Sequence, residues 1–125
     1  MARAGGLTAG LGRRGELLAL RHLRASGLVL IQKNFRCRIG EIDLIMRDND
    51  CLVFVEVRSR RQSRFGSAAL SVDLRKQRRI ACTAAMFLGR RPDYGDLPVR
   101  FDVVGIDGRP DGEYTLQWIK DAFRP

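Results

Sequence analysis

Residues 40–58 read GEIDLIMRDNDCLVFVEVR, two apolar runs joined by the turn-forming sequence Asp-Asn-Asp at positions 48–50. Runs of this length and apolar content, separated by turn residues, predict the two strands of a β-hairpin. A tight turn centred on positions 49 and 50 pairs Asp48 with Cys51, and the antiparallel ladder continues outward from that pair. We predict the two strands at residues 39–46 and 52–57.

This register decides which side chains share a face of the hairpin, because successive residues of a strand point to opposite faces. Asp43 then faces Glu56, and Glu41 faces Arg58. One face mixes charged and apolar side chains: Glu41, Asp43, Ile45, Phe54, Glu56 and Arg58. The other face is apolar throughout: Ile42, Leu44, Met46, Val53, Val55 and Val57. The sequence therefore predicts an ionic patch at one end of one face.

Asp43 and Glu56 are carboxylates at opposed positions, where like charges repel one another. A divalent cation, a shared proton or a basic neighbour would relieve the repulsion. Carboxylate oxygens, a backbone carbonyl and water suit Mg²⁺ or Mn²⁺, and such an ion can activate water for phosphodiester hydrolysis. In the alternative interpretation, Arg58 neutralises Glu41 and Glu56 in an ion-pair network without a metal. The hairpin alone leaves both interpretations open.

The rest of the chain adds helices and strands around this hairpin. Apolar residues at helical spacing predict a helix over residues 12–24, with Glu16 at the border of its apolar face. Ser71 is a candidate N-cap for a second helix that runs to Leu88. The remaining predicted strands are residues 28–35, 99–106 and 114–119. The predicted order is α, β, β, β, α, β, β.

The composition indicates one basic domain. The chain has 125 residues, 45% of them hydrophobic, which is enough to close one core. We expect a flexible leader over residues 1–11 and a single domain over residues 12–125. Lys and Arg number 23 against 14 Asp and Glu, so the net charge of +9 favours a polyanionic partner such as nucleic acid.

The cysteine spacing and the length of the apolar runs indicate where in the cell the protein is located. Three cysteines without CxxC spacing favour neither a disulfide framework nor a thiolate zinc site, and they fit a reducing cytoplasm. No apolar run approaches the roughly 18 residues that cross a membrane. The sequence therefore predicts a cytoplasmic protein that does not span a membrane.

Basic residues follow the hairpin and open the second predicted helix. They are Arg58, Arg60, Arg61, Arg64, Arg75, Lys76, Arg78 and Arg79. Arginine suits bidentate phosphate contacts, so we expect this surface to follow a nucleic-acid backbone, in DNA rather than RNA. A solvated basic face and an acidic protein partner are the alternatives.

Three blocks of the chain resemble the YraN-like family of uncharacterised proteins. They are GRRGE at residues 12–16, GEIDLI at residues 40–45 and VFVEVRSR at residues 53–60. Phe65-Gly66, Lys76 and the RFDV sequence at residues 100–103 also stand in family order. The resemblance covers roughly residues 12–106.

This family is similar to the PD-(D/E)xK superfamily, whose restriction-endonuclease-like fold is shared with archaeal Holliday junction resolvases. The resemblance implies an α/β fold with an αβββαβ core, in which helices flank a mixed central sheet. It also implies a metal-dependent endonuclease that acts on DNA, including branched or structured DNA. The domain over residues 12–125 is then nuclease-like.

The same resemblance implies roles for individual residues. Asp43 and Glu56 would bind the metal together with the Val57 carbonyl, and Glu16 would approach from the first helix. A glutamate near a helix start can instead serve the helix dipole. Glu41 would contact Arg58 or an ordered water behind the metal ligands.

Arg58 departs from the family pattern, which has lysine at this position. In the superfamily that lysine is taken to orient the attacking water or to stabilise the transition state. Arginine keeps the charge, but its pKa above about 12 prevents proton exchange at neutral pH. Lys76 is the alternative source of an amine if the second helix brings it to the site.

Two functions therefore stand side by side: a working endonuclease, and a non-catalytic nucleic-acid-binding module with a degenerate nuclease site. The sequence also leaves open a homodimer that places two sites across a duplex.

Overall fold

A computed structural model describes residues 4–61 and 71–125, with side chains described from residue 13 onward. Within these residues the helices are α1 (Ala4–Ala25) and α2 (Leu74–Arg90), followed by a 3-10 turn at Pro92–Tyr94. The strands are β1 (Val29–Arg36), β2 (Glu41–Asp48), β3 (Cys51–Arg61), β4 (Val99–Gly108) and β5 (Tyr114–Ile119). This order confirms the prediction. No described helix has the length and apolar content needed to cross a membrane.

The strands form one mixed sheet in the order β1-β2-β3-β4-β5. Only β3 and β4 pair in parallel among the described strands, and the other neighbours are antiparallel. A parallel pair needs a crossover connection, and α2 lies on the connection between β3 and β4. The expected restriction-endonuclease-like αβββαβ core is therefore confirmed, with β5 as an added edge strand.

Each face of the sheet is covered by one helix, so the central strands are apolar on both sides. On one face the buried cluster joins α1 to the sheet through Ala19, Leu20, Leu23, Leu44, Met46, Val53 and Val55. On the other face it joins α2 to the sheet through Ala84, Phe87, Phe35, Ile45, Leu52 and Phe54. The hairpin β2–β3 thus lies at the centre of both clusters.

The predicted hairpin register is confirmed. The β2–β3 ladder runs from Asp48↔Cys51 to Leu44↔Val55. Asn49 has a φ of 54°, the left-handed conformation that tight hairpin turns require.

The face predicted for Ile42 is wrong, because Ile42 packs in the cluster beneath α2. The cause lies on the neighbouring strand β1, where Asn34 has a φ of 53°. Asn34 lies between the ladder pairs Lys33↔Leu44 and Phe35↔Ile42, opposite Asp43. The left-handed residue interrupts the pleat, and both Phe35 and Ile42 then turn towards α2.

Strand β3 extends four residues beyond its predicted end at Val57. Residues 59–61 look like the start of a polar loop in sequence, but they pair in parallel with β4, the last pair being Arg61↔Gly108. A parallel partner distant in sequence leaves no local signal, which explains the difference.

The helix starts also differ from the prediction. Helix α1 begins at Ala4 rather than at residue 12, so most of the predicted leader is helical. Helix α2 is capped by Asp73 rather than Ser71, because Asp73 Oδ1 accepts a hydrogen bond of 2.8 Å from the Lys76 N–H.

A buried carboxylate joins β4 to β5 and to the hairpin turn. Asp102 is 0% exposed and accepts hydrogen bonds from Arg100 Nε at 2.8 Å, Trp118 Nε1 at 2.9 Å and the Asp121 N–H at 2.9 Å. Arg100 also donates to Asp48 Oδ2 at 3.1 Å. A buried carboxylate with this many hydrogen-bond donors is satisfied. Removing its charge leaves these donors without a charged acceptor.

Asp102→Asn is therefore expected to lower the free energy of unfolding by about 3 kcal/mol or more, as for other broken buried ion pairs. Urea unfolding followed by circular dichroism measures the change. Asp96→Asn, at an exposed position, is the matched control and should change stability little. A loss below about 1 kcal/mol for Asp102→Asn, within the range of surface ion pairs, would contradict this account of the network.

Candidate functional site

Asp43 and Glu56 lie just beyond Leu44↔Val55, where the β2–β3 ladder ends. Asp43 Oδ2 accepts a hydrogen bond of 2.7 Å from the Val57 N–H. The carboxylate thus takes a main-chain donor of the neighbouring strand, which fixes it inside the sheet. We call Asp43 and Glu56 the acid pair.

Asp43 is buried, with 8% of its surface exposed. The pKa of Asp43 is raised to about 7: burial is the largest cause, the charge of Glu56 contributes to the rise, and the Val57 N–H opposes it. The charge of Glu16 and a hydrogen bond with the Glu56 side chain also favour the protonated form. Near neutral pH the acid pair therefore needs a proton or a cation.

Lys76 supplies a cation to the acid pair. Its Nζ forms an ion pair with Glu56 Oε2. Lys76 stands in the first turn of α2, and the Asp73 cap that accepts its N–H fixes the start of this helix. The expected amine thus reaches the site from the second helix.

Glu41 pairs with a different arginine from the one that we expected. Arg36 Nε lies 2.7 Å from Glu41 Oε2, on an exposed part of the surface. The β1–β2 register explains this partner, because it places Arg36 directly beside Glu41. Among the described residues, Glu41 thus forms an ion pair with Arg36 and Glu56 forms one with Lys76, whereas the alternative interpretation had Arg58 neutralise both acids. Arg58 itself is half-buried on β3.

Glu16 is half-buried on α1 and accepts a hydrogen bond from the Asn34 side chain. Burial raises the pKa of Glu16, and the hydrogen bond from Asn34 opposes that shift. Asn34 was not predicted from the sequence as part of this site. An asparagine inside a predicted strand was the available signal, since Asn is a poor strand former that tolerates positive φ.

Gly15 allows α1 to approach β3 closely, which places Glu16 near the acid pair. A Cβ at Gly15 would overlap the Ser59 hydroxyl and lie 2.9 Å from Ser59 Cβ. Among the residues with described side chains, no three His, Cys, Asp or Glu side chains form a group that could hold a metal ion. The acid pair is therefore a two-carboxylate arrangement, with Glu16 held by Asn34 at its edge.

A cleft of about 400 Å³ opens onto the acid pair. Its walls are formed by β2, β3 and α2: Gly40, Glu41, Asp43, Glu56, Val57, Lys76, Arg79 and Ile80. Gly40 makes room for α2, because a Cβ there would lie 3.2 Å from two side-chain carbons of Arg79. Three acids, a lysine and an arginine thus share one concave site.

The predicted basic surface is only partly gathered at this cleft. Lys76 and Arg79 line it, and Arg75 is exposed nearby in sequence on α2. Arg60 Nε lies 3.4 Å from Asp107 Oδ1, and Arg61 lies at the end of β3. Arg64 lies outside the described residues.

The pKa of Asp43 predicts how the stability of the metal-free protein depends on pH. The ordinary value is near 3.8 and the folded value is about 7, so between these values the folded state holds a proton that the unfolded state has released. Stability is therefore fully present below about pH 4 and falls as pH rises to about 7. Asp43→Asn, a neutral mimic of the protonated acid, should remove this dependence.

Urea unfolding in EDTA at a series of pH values measures this effect. The control Asp96→Asn should keep the dependence of the wild type. Unchanged pH dependence in Asp43→Asn would show that Asp43 is not the titrating group.

Comparison with known proteins gives the family. The model of the uncharacterised protein family UPF0102, which is the YraN family, matches residues 15–106. The UPF0102 protein of Ectopseudomonas mendocina is 50% identical over 113 residues, which cover 90% of this chain and 93% of that protein. The UPF0102 protein of Pseudomonas savastanoi pv. phaseolicola is 48% identical over 112 residues, covering 90% and 91%. The UPF0102 protein of Nitrosococcus oceani is 48% identical over 113 residues, covering 90% of each. The predicted resemblance is confirmed, and the chain belongs to the uncharacterised protein family UPF0102.

Proposed function

We propose that this protein is a metal-dependent endonuclease that hydrolyses phosphodiester bonds in DNA, including branched or flapped DNA. The observation that carries the proposal is the burial of Asp43, 8% exposed, directly beside Glu56. Two acids in contact at the edge of a core are destabilising unless they bind a cation or share a proton. Lys76 and Arg79 in the walls of the adjoining cleft suit a phosphate group.

The donor atoms of the site suit Mg²⁺ or Mn²⁺. Hard divalent cations take carboxylate and carbonyl oxygens and complete their coordination with water. Asp43 and Glu56 supply the carboxylates, and Val57 lines the same cleft and offers its carbonyl. Glu16 would reach such an ion through a water or after a change of side-chain conformation. When bound, the ion would activate a water molecule and neutralise charge on the phosphate.

The residues around the proposed metal position orient the acidic side chains and balance their charge. The Val57 N–H holds the Asp43 carboxylate, and the Asn34 side chain holds Glu16. Lys76 balances the charge of Glu56 from α2. Arg79 lines the cleft and can contact a phosphate oxygen with its planar fork. We assign to Lys76 the amine function that the family pattern places at position 58.

Arg58 favours a second candidate function, a nucleic-acid-binding module that has lost efficient cleavage. Arginine holds a phosphate but does not exchange protons at neutral pH. Such a module would bind DNA through phosphate neutralisation, with salt-sensitive affinity that does not depend on Asp43.

Cleavage assays on duplex, flapped and four-way-junction DNA with Mn²⁺ test the first function. Asp43→Ala is expected to lower the cleavage rate by at least about 100-fold, because groups that only support a metal ligand already contribute about 10- to 100-fold. Asp50→Ala, in the turn of the same hairpin, removes an exposed acid and should retain activity.

Equal cleavage by wild type and Asp43→Ala would point to a contaminating nuclease and remove the enzymatic proposal. The second function is supported instead if neither protein cuts DNA and both bind it with the same salt sensitivity.

The variant Lys76→Met distinguishes a role of Lys76 in balancing the charge of Glu56 from a role in catalysis. Lys76 and a divalent cation would compete for Glu56, so removal of the amine should leave Mn²⁺ affinity equal or higher. The cleavage rate should nevertheless fall by about 10-fold or more, because a positioned cation in the transition state is lost. Calorimetry gives the affinity and single-turnover cleavage gives the rate.

Lys120→Met is the matched control, since Lys120 lies over the Trp118 ring. Weaker Mn²⁺ binding in Lys76→Met, or an unchanged cleavage rate, would refute the role assigned to Lys76.

A further inference from the structure

A second cleft, of about 450 Å³, lies at the far end of β3 from the hairpin turn. Three guanidinium groups from three separate elements line it: Arg14 of α1, Arg61 of β3 and Arg109 of the β4–β5 turn. Among the described residues that line it, Glu113 is the one acid. We call it the distal cleft, because none of its lining residues borders the cleft at the acid pair.

The fold holds these arginines in place. Arg61 pairs with Gly108 at the end of the parallel ladder, directly before the turn that carries Arg109. That turn is closed by the Arg109 N–H donating to the Glu113 carbonyl at 2.8 Å and by the Gly112 N–H donating to the Arg109 carbonyl at 3.0 Å. Arg14 Nη2 donates to the Gly112 carbonyl at 3.4 Å, which joins α1 to the same turn.

The lining of the distal cleft carries an excess of positive charge. Three guanidinium groups face one carboxylate, and a concave surface concentrates the resulting field. Arg109 Nε lies 4.0 Å from Asp111 Oδ1, and both side chains are about half-exposed, so this pair is weak. Guanidinium donors gathered in this way match the oxygens of a phosphate group.

The distal cleft and the acid pair both lie along strand β3. Arg61 stands five residues beyond Glu56 on β3, and a strand rises about 3.3 Å per residue, so the two are separated by about 16 Å along the strand. The distal cleft is therefore a separate position on the same strand.

We propose that the distal cleft binds a backbone phosphate of the DNA that is engaged at the acid pair. This inference rests on the proposed function of the acid pair. A contact away from the acid pair would help to orient the DNA on the protein, without reading its sequence.

The salt dependence of binding to a fluorescein-labelled DNA duplex tests the proposal. Fluorescence anisotropy in EDTA makes the measurement independent of metal and of cleavage. Each phosphate contact contributes about 0.9 to the slope of log affinity against log salt concentration, so Arg14→Ala combined with Arg109→Ala should lower the slope by about 0.9, because one phosphate contact is lost. The matched control combines Arg24→Ala with Arg47→Ala, which removes the same charge from exposed positions outside both clefts, and should keep the wild-type slope.

Circular dichroism confirms that both double variants are folded. Equal slopes in the two double variants would overturn the proposal, and so would wild-type protein that shows no salt-dependent DNA binding. A lowered slope in a protein without Asp43-dependent cleavage would retain the distal cleft and reject the nuclease. Asp43-dependent cleavage with an unchanged slope would retain the nuclease and reject the distal cleft.

Discussion

Two carboxylates held side by side in a partly buried position cost free energy unless a proton or a cation compensates them. This constraint applies to Asp43 and Glu56, and much of the surrounding structure fixes their position or balances their charge. The Val57 N–H fixes Asp43, and Lys76 balances Glu56. Near neutral pH the site thus stands close to the point at which Asp43 gives up its proton, since the pKa of Asp43 is about 7. A divalent cation would replace that proton.

Both helices contribute to the site through close packing as well as through their functional side chains. Gly15 lets α1 approach Ser59, so Glu16 stands near the pair of acids, and Gly40 makes room for Arg79 of α2. Asn34 joins these parts, because its left-handed backbone interrupts the pleat opposite Asp43 while its side chain holds Glu16. One residue, Asn34, therefore both interrupts β1 and holds the side chain of Glu16.

The pairing of the hairpin could be predicted from the sequence because the interactions that determine it are local. The turn at positions 48–50 was sufficient to set the pairing of Asp48 with Cys51 and hence the neighbourhood of Asp43 and Glu56. Features that depend on distant partners were not predictable in this way. The extension of β3 needs β4, the ion pair of Glu56 with Lys76 needs the docking of α2, and the turn of Ile42 towards α2 needs the irregular strand β1. Tertiary contacts of this kind leave no periodic pattern in the chain.

The most direct test of this account is calorimetric titration of Mn²⁺ into the wild-type protein and into Asp43→Asn. Near pH 6, buffers of different ionisation enthalpy also report how many protons binding releases. The account predicts one site in the wild type, release of close to one proton because the pKa of Asp43 is about 7, and loss of that site in Asp43→Asn. Equal Mn²⁺ binding by both proteins, or binding without proton release, would contradict it.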